Sequence, residues 1–185
     1  MSTTRDEAAH ALDEIEGAAG RVRRLGLYEQ AAPYFMLWGA VWLIADLTTQ
    51  FAPRFWLVWP ILSLVGAAVS TALGIVRQRG SSGSPFIAEW RPLATWLTVI
   101  AFIVALGFVL RPWNWRQGHS VFGLVFGFIY LVTGYWIGRR LVILGVALVA
   151  LTLVGYYAVH AWYPLFMGVV GGGALMLGGL WLRSI

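Results

Sequence analysis

"FGFIYLVTGYWIGRRLVILGVALVALTLVGYY", residues 126–157, decides the fold. Two apolar runs meet at Gly138, Arg139 and Arg140. Taken to its full extent, each run is near the ~20 residues that carry a helix across about 30 Å of hydrocarbon. Glycine permits a sharp reversal of the chain. Arginines at such a reversal can sit at lipid phosphates and pin the turn to one surface. The stretch therefore reads as a helical hairpin in a membrane, with Arg139 and Arg140 anchoring its turn. A phosphate-binding role for the two arginines is the rival reading.

Outward from this hairpin the pattern continues. Spans are expected near 33–52, 55–77, 92–111, 120–138, 140–159 and 162–182, which makes an all-α, polytopic transmembrane bundle of six spans. Of the 185 residues, 59% are hydrophobic and 11% charged, whereas soluble domains carry about 25% charged residues. So much apolar surface needs lipid as its solvent. Cysteine is absent, which excludes a disulfide framework, a thiolate metal site and a cysteine nucleophile. The long connection "QRGSSGSPFIAEWRP", residues 78–92, reads as a flexible loop from its Gly, Ser and Pro content. The other connections are tight, so consecutive helices should be antiparallel neighbours.

All 13 basic residues are arginines, and the formal net charge is +5. With a cytoplasmic N-terminus, ten lie inside: Arg5, Arg21, Arg23, Arg24, Arg77, Arg79, Arg91, Arg139, Arg140 and Arg183. Three lie outside: Arg54, Arg111 and Arg116. Positive charge accumulates on the cytoplasmic side of membrane proteins, so both termini are expected there. The excess charge is then a topological signal and a contact for anionic lipid of the inner leaflet. It implies no nucleic acid. Trp56, Trp59, Trp113, Trp115 and Trp162 fall at the expected outer interface, and Trp90, Trp136 and Trp181 at the inner one, as amphipathic rings favour.

Residues 1–30 read as a unit apart from the transmembrane domain, 31–185. Early acids and the lack of an early apolar region speak against a signal peptide. Thr3 or Thr4 with Asp6 or Glu7 suits a helix cap. Ala9, Leu12, Ile15, Ala19, Val22 and Leu25 recur at steps of three or four and make one apolar stripe. Acids come early and Arg21, Arg23 and Arg24 late, matching the helix dipole. Two readings stay open: a docking helix for a cytosolic protein, or an amphipathic helix lying on the inner leaflet.

Gly123 with Gly127, Gly134 with Gly138, and Gly168 with Gly172 are each four apart. In lipid the hydrophobic drive between helices is weak, and close backbone approach carries the packing. These glycines are expected to pack helices within the chain. A homo-oligomer face is the alternative.

The chemistry-bearing residues are sparse. "LIADLTTQF", residues 43–51, places Asp46 near the outer end of the first span, and an ionisable residue inside a span is a functional-site candidate. His119 and His160 lie about twenty residues either side of the hairpin turn, so at 1.5 Å per residue they return to one outer level. Asp46, Arg111, His119 and His160 therefore outline an outer vestibule able to bind a ligand, or a divalent metal whose identity stays open. Satisfied interfacial groups are the plainer account of the same residues. No Walker, GxSxG, HExxH or haem-attachment pattern occurs, and no cofactor is indicated. The leading expectation is a non-enzymatic membrane protein of structural or regulatory kind. The alternative is a transporter or binding protein for a small solute or lipid-like ligand.

Three stretches carry a resemblance: "PYFMLWGAVWLI" (33–44), the hairpin 126–157, and "LFMGVVGGGALMLGGLWLR" (165–183). Together they resemble small bacterial multi-pass membrane proteins of unknown function. The resemblance implies the bacterial inner membrane as location and transfers no catalytic residue.

Overall fold

The structure, a computed structural model, describes residues 5–55, 57–79, 90–110 and 114–184. Its elements are helices: α1 (Arg5–Phe51), α2 (Val58–Arg79), α3 (Trp90–Val109), α4 (Trp115–Ile137), α5 (Arg139–Ala158) and α6 (Tyr163–Arg183). No strand occurs among the described residues. Within α6 a short α-helical start, Tyr163–Phe166, passes through a π-helical segment, Met167–Gly172, into an α-helical end, Gly173–Arg183. Among the described residues, five helices (α1, α2, α4, α5 and α6) are long and apolar enough to cross a membrane. That supports a transmembrane, all-helical protein. Helix α3 is 20 residues long, and its described side chains, Thr98–Val109, make an apolar run. The expected caps Thr3 and Thr4 and most of the loop 78–92 lie outside the described residues.

The helix that carries the first expected span begins well before residue 33. The helix runs unbroken through Pro33 for 47 residues, about 70 Å at 1.5 Å per residue. Proline inside a helix supplies no N–H for the carbonyl four residues back and crowds that turn. In apolar surroundings such a proline is tolerated when neighbouring groups satisfy the freed backbone. The carbonyl that loses its donor is that of Glu29; on the next one, Gln30 O, Arg77 near the end of α2 donates from Nη1 at 2.9 Å. An arginine read only as a marker of sidedness thus also ties α2 to the proline turn of α1.

Two helix pairs are drawn together by glycine. In the antiparallel pair α4–α5, a Cβ at Gly127 would lie 2.6 Å from Val149 Cγ2, and one at Gly134 would lie 2.7 Å from Val142 Cγ2. A Cβ at Gly123 would overlap the Thr152 side chain. In the antiparallel pair α1–α6, Gly39 meets Gly172, Asp46 meets Gly168, and Met36 meets Gly179. On α1 the contact positions Ala32, Met36, Gly39, Leu43 and Asp46 advance alternately by four and three. That is the 3.5-residue period of a left-handed two-helix seam.

Large side chains fill the space between the pairs. Phe35 and Tyr130 pack with ring centroids 4.7 Å apart, and Trp42, Leu148, Tyr163, Met167 and Leu175 are buried with them. Trp38 packs on this core and reaches Gly66 of α2. Helix α2 otherwise packs against α1, and α3 against α4.

The α4–α5 turn is built on Gly138 at φ 147°, a left-handed conformation that side chains disfavour. Tyr28 Oη occupies the place a Cβ would take. Arg139 is exposed. Arg140 instead turns onto α6, where its Nη1 donates to Trp181 O at 2.6 Å. Its guanidinium also lies 5.0 Å from the Trp181 ring and 5.9 Å from Tyr28. A cation at the last carbonyls of a helix meets the negative end of its dipole, so Arg140 holds three helices at one end of the bundle.

Candidate functional site

Asp46 is wholly buried at the far end of α1, on the seam facing α6. A Cβ at Gly168 would lie 2.7 Å from Asp46 Cβ, so glycine makes the room the carboxylate stands in. His119, also buried, approaches from α4, with Nε2 3.4 Å from Asp46 Oδ2. That is a close contact without hydrogen-bond geometry: both Asp46 oxygens and His119 Nε2 are buried and lack a hydrogen-bond partner.

Local sequence explains how His119 is aimed. Asn114 caps α4 reciprocally: its side-chain oxygen accepts from Gln117 N–H at 2.8 Å, and its own N–H donates to Gln117 Oε1 at 3.0 Å. This fixes the helix start. One turn on, Ser120 donates to Arg116 O at 2.8 Å. With that proton committed, Tyr163 O–H donates to Ser120 Oγ at 2.6 Å. Tyr163 at the start of α6 is thereby locked against the first turns of α4.

Four rings enclose the His119 imidazole. Trp115, four residues earlier on α4, stacks on it at 5.1 Å and 14°. Trp59 of α2 meets it edge-on at 4.8 Å, Trp42 of α1 lies at 5.7 Å, and Tyr163 lies at 5.8 Å. Trp59 was expected in an interfacial belt. Its ring instead turns inward, and its Nε1 is buried without a partner. Gln50, one helical turn beyond Asp46 on α1, carries a further buried, unpartnered oxygen, Oε1. Neither Gln50 nor the four rings stood out as site residues in the sequence. The spacing of four from Asp46 to Gln50 and from Trp115 to His119 was the available signal.

Of the four vestibule candidates, Asp46 and His119 come together. His160 is exposed after α5 and makes no ion pair or ring contact with either. Arg111 lies outside the described residues. Arg54, expected on the outer side with Arg111, is exposed. No group of three or more His, Cys, Asp or Glu residues able to hold a metal occurs among the described residues. One imidazole and one carboxylate fall short of the three protein ligands usual even for an open zinc site.

Glycines 123, 127, 134, 138, 168 and 172 all stand at close approaches, the first three between α4 and α5, Gly138 at their turn, the last two between α6 and α1. Arg21, Arg23 and Arg24 are exposed on the N-terminal half of α1.

The chain matches no family model, no curated protein and no solved structure. The resemblance to small bacterial multi-pass proteins therefore rests on the sequence stretches alone.

Proposed function

We propose that this chain is a six-span protein of the bacterial inner membrane, with both termini cytoplasmic, that acts by contact and not by catalysis. In this reading the N-terminal half of α1 is the contact arm, for a cytosolic protein or for anionic inner-leaflet lipid. The observation that carries it is the unpartnered stripe: Leu12, Ile15 and Val22 are 61%, 64% and 69% exposed on a helix continuous with a span. Arginines on the same arm suit anionic head groups, and the glycine seams suit a scaffold that holds the arm in place.

The test is an environment-sensitive fluorophore on a cysteine introduced at Ile15, the chain having no other cysteine. A blue shift in anionic but not neutral vesicles is the leaflet contact. A shift confined to native membranes is the protein contact. Equal, water-like emission in all three would defeat the reading.

A second reading has its own observation. The buried, unpartnered polar atoms of Asp46, Gln50, Trp59 and His119 favour a binding or transport protein for a small solute or lipid-like ligand, taken at the outer end of the bundle. Buried polar groups are almost always satisfied in native proteins, so a cluster of them asks for a donor-bearing guest. Copurifying ligand, identified by mass spectrometry, tests this reading.

A further inference from the structure

Asp46 contributes two buried oxygens without a hydrogen-bond partner, and Gln50 adds a third one turn away. Against these three acceptors stand one indole N–H, on Trp59, and one imidazole nitrogen, on His119. The imbalance selects the guest. An anion would face the Asp46 carboxylate. An apolar guest would leave every polar atom unpaired. A divalent metal would find too few ligands. A primary ammonium brings three N–H donors to three oxygens, and its charge suits the carboxylate. The leftover Trp59 N–H then calls for an acceptor on the same guest, close to the nitrogen.

We propose that Asp46, Gln50 and Trp59 bind a primary ammonium group with an oxygen beside it, the chemistry shared by free ethanolamine and an ethanolamine lipid head group. Asp46 and Gln50 accept from the ammonium, Trp59 donates to the adjoining oxygen, and His119 positions Asp46 from the opposite side. Gln50 is only partly buried and Trp115 is 44% exposed, so the surface lies close to the site at the ends of α1 and α4. Gly168 leaves the carboxylate its place on the α6 side. The proposal rests on the second functional reading above and supplies the ligand class that reading lacks.

The experiment uses the full chain in detergent. Native mass spectrometry is run with equal amounts of phosphatidylethanolamine, phosphatidylcholine and phosphatidylglycerol, and separately with free ethanolamine. Phosphatidylethanolamine should be retained over phosphatidylcholine, whose quaternary nitrogen has no N–H, and over phosphatidylglycerol. Asp46→Asn and Gln50→Met should each lower that retention about tenfold, while helicity and elution volume show that both variants are folded. If the site takes the free amine, ethanolamine will raise the melting temperature of the unmodified chain and not of Asp46→Asn. If it takes the lipid, only phosphatidylethanolamine will. Equal, Asp46-dependent retention of all three lipids overturns the ammonium assignment and leaves a binding site standing. Retention of none, with no effect of ethanolamine, overturns both.

Discussion

Gly39 of α1 and Gly172 of α6 face each other backbone to backbone: a Cβ on Gly39 would lie 2.6 Å from Gly172 O, and one on Gly172 would lie 2.7 Å from Gly39 O. The obstacle on each side is a carbonyl, which cannot move aside as a flexible side chain can. Gly39→Leu or Gly172→Leu should therefore force the seam open and cost about 1–3 kcal/mol, the range for overpacking. Gly20, with nothing within 4 Å of a Cβ, is the control. Gly20→Ala should hold or slightly raise stability, since alanine is the better helix former by about 1 kcal/mol. Thermal loss of helicity in detergent reads both, and equal melting of all variants would remove the seam from the account.

At the other end of the bundle, Gly138→Ala meets two separate obstacles. Its φ of 147° is strained for any side chain, and the Tyr28 hydroxyl fills the Cβ position. The expected loss is about 1–3 kcal/mol, the cost of a residue held in a sparsely populated backbone region. Tyr28→Phe removes the hydroxyl and leaves the backbone strain, so the double variant should recover only part of the loss. Full recovery would show that the tyrosine contact alone demands glycine.

The hairpin 126–157 was legible because two long apolar runs and a Gly-Arg-Arg turn leave few alternatives. Level along the bundle was legible for one pair, since helical rise puts Asp46 and His119 at one height and the two meet. Rotation about each helix axis was not. Lipid and protein core are both apolar, so no hydrophobic stripe tells which face turns inward, and Trp59 could be read as interfacial. Pro33 marks no boundary: the helix continues past it, with Arg77 on the carbonyl beside the freed one. The π-helical segment Met167–Gly172 lies in a glycine-rich run that carries no period from which a register change can be read.

Pro33 and Arg77 make a coupled pair. Pro33→Ala restores a backbone N–H and relieves the crowded turn, and should stabilise α1 by up to about 3 kcal/mol. Arg77→Met removes the donor to Gln30 O. Because Arg77 is exposed, the loss should be modest, about 0.5–1.5 kcal/mol for one hydrogen bond. The loss from Arg77→Met should shrink in the Pro33→Ala background, where the relaxed turn lets the neighbouring Gln30 carbonyl bond more fully within the helix. A double-mutant cycle on melting free energies measures this, and strict additivity would show that the arginine does not serve the proline turn.

His119 and Asp46 make unequal demands when either is removed. His119→Phe keeps a ring within the box of Trp42, Trp59, Trp115 and Tyr163 but leaves the Asp46 carboxylate buried and alone. Breaking a buried pair in this way typically costs about 3–5 kcal/mol. Asp46→Ala leaves an imidazole, which has a neutral form and stays packed among rings, so its cost should be smaller. The double variant Asp46→Ala/His119→Phe removes both polar groups while roughly conserving volume, and replacing a buried pair by packed apolar groups is often neutral or stabilising. The expected order of stability is therefore His119→Phe lowest, Asp46→Ala above it, and the double variant near the unmodified chain. That order would mean that the pair is kept for what it holds and not for the stability it adds. A double variant less stable than either single one would mean instead that the contact is structural, and that α1 and α4 depend on it to stay together.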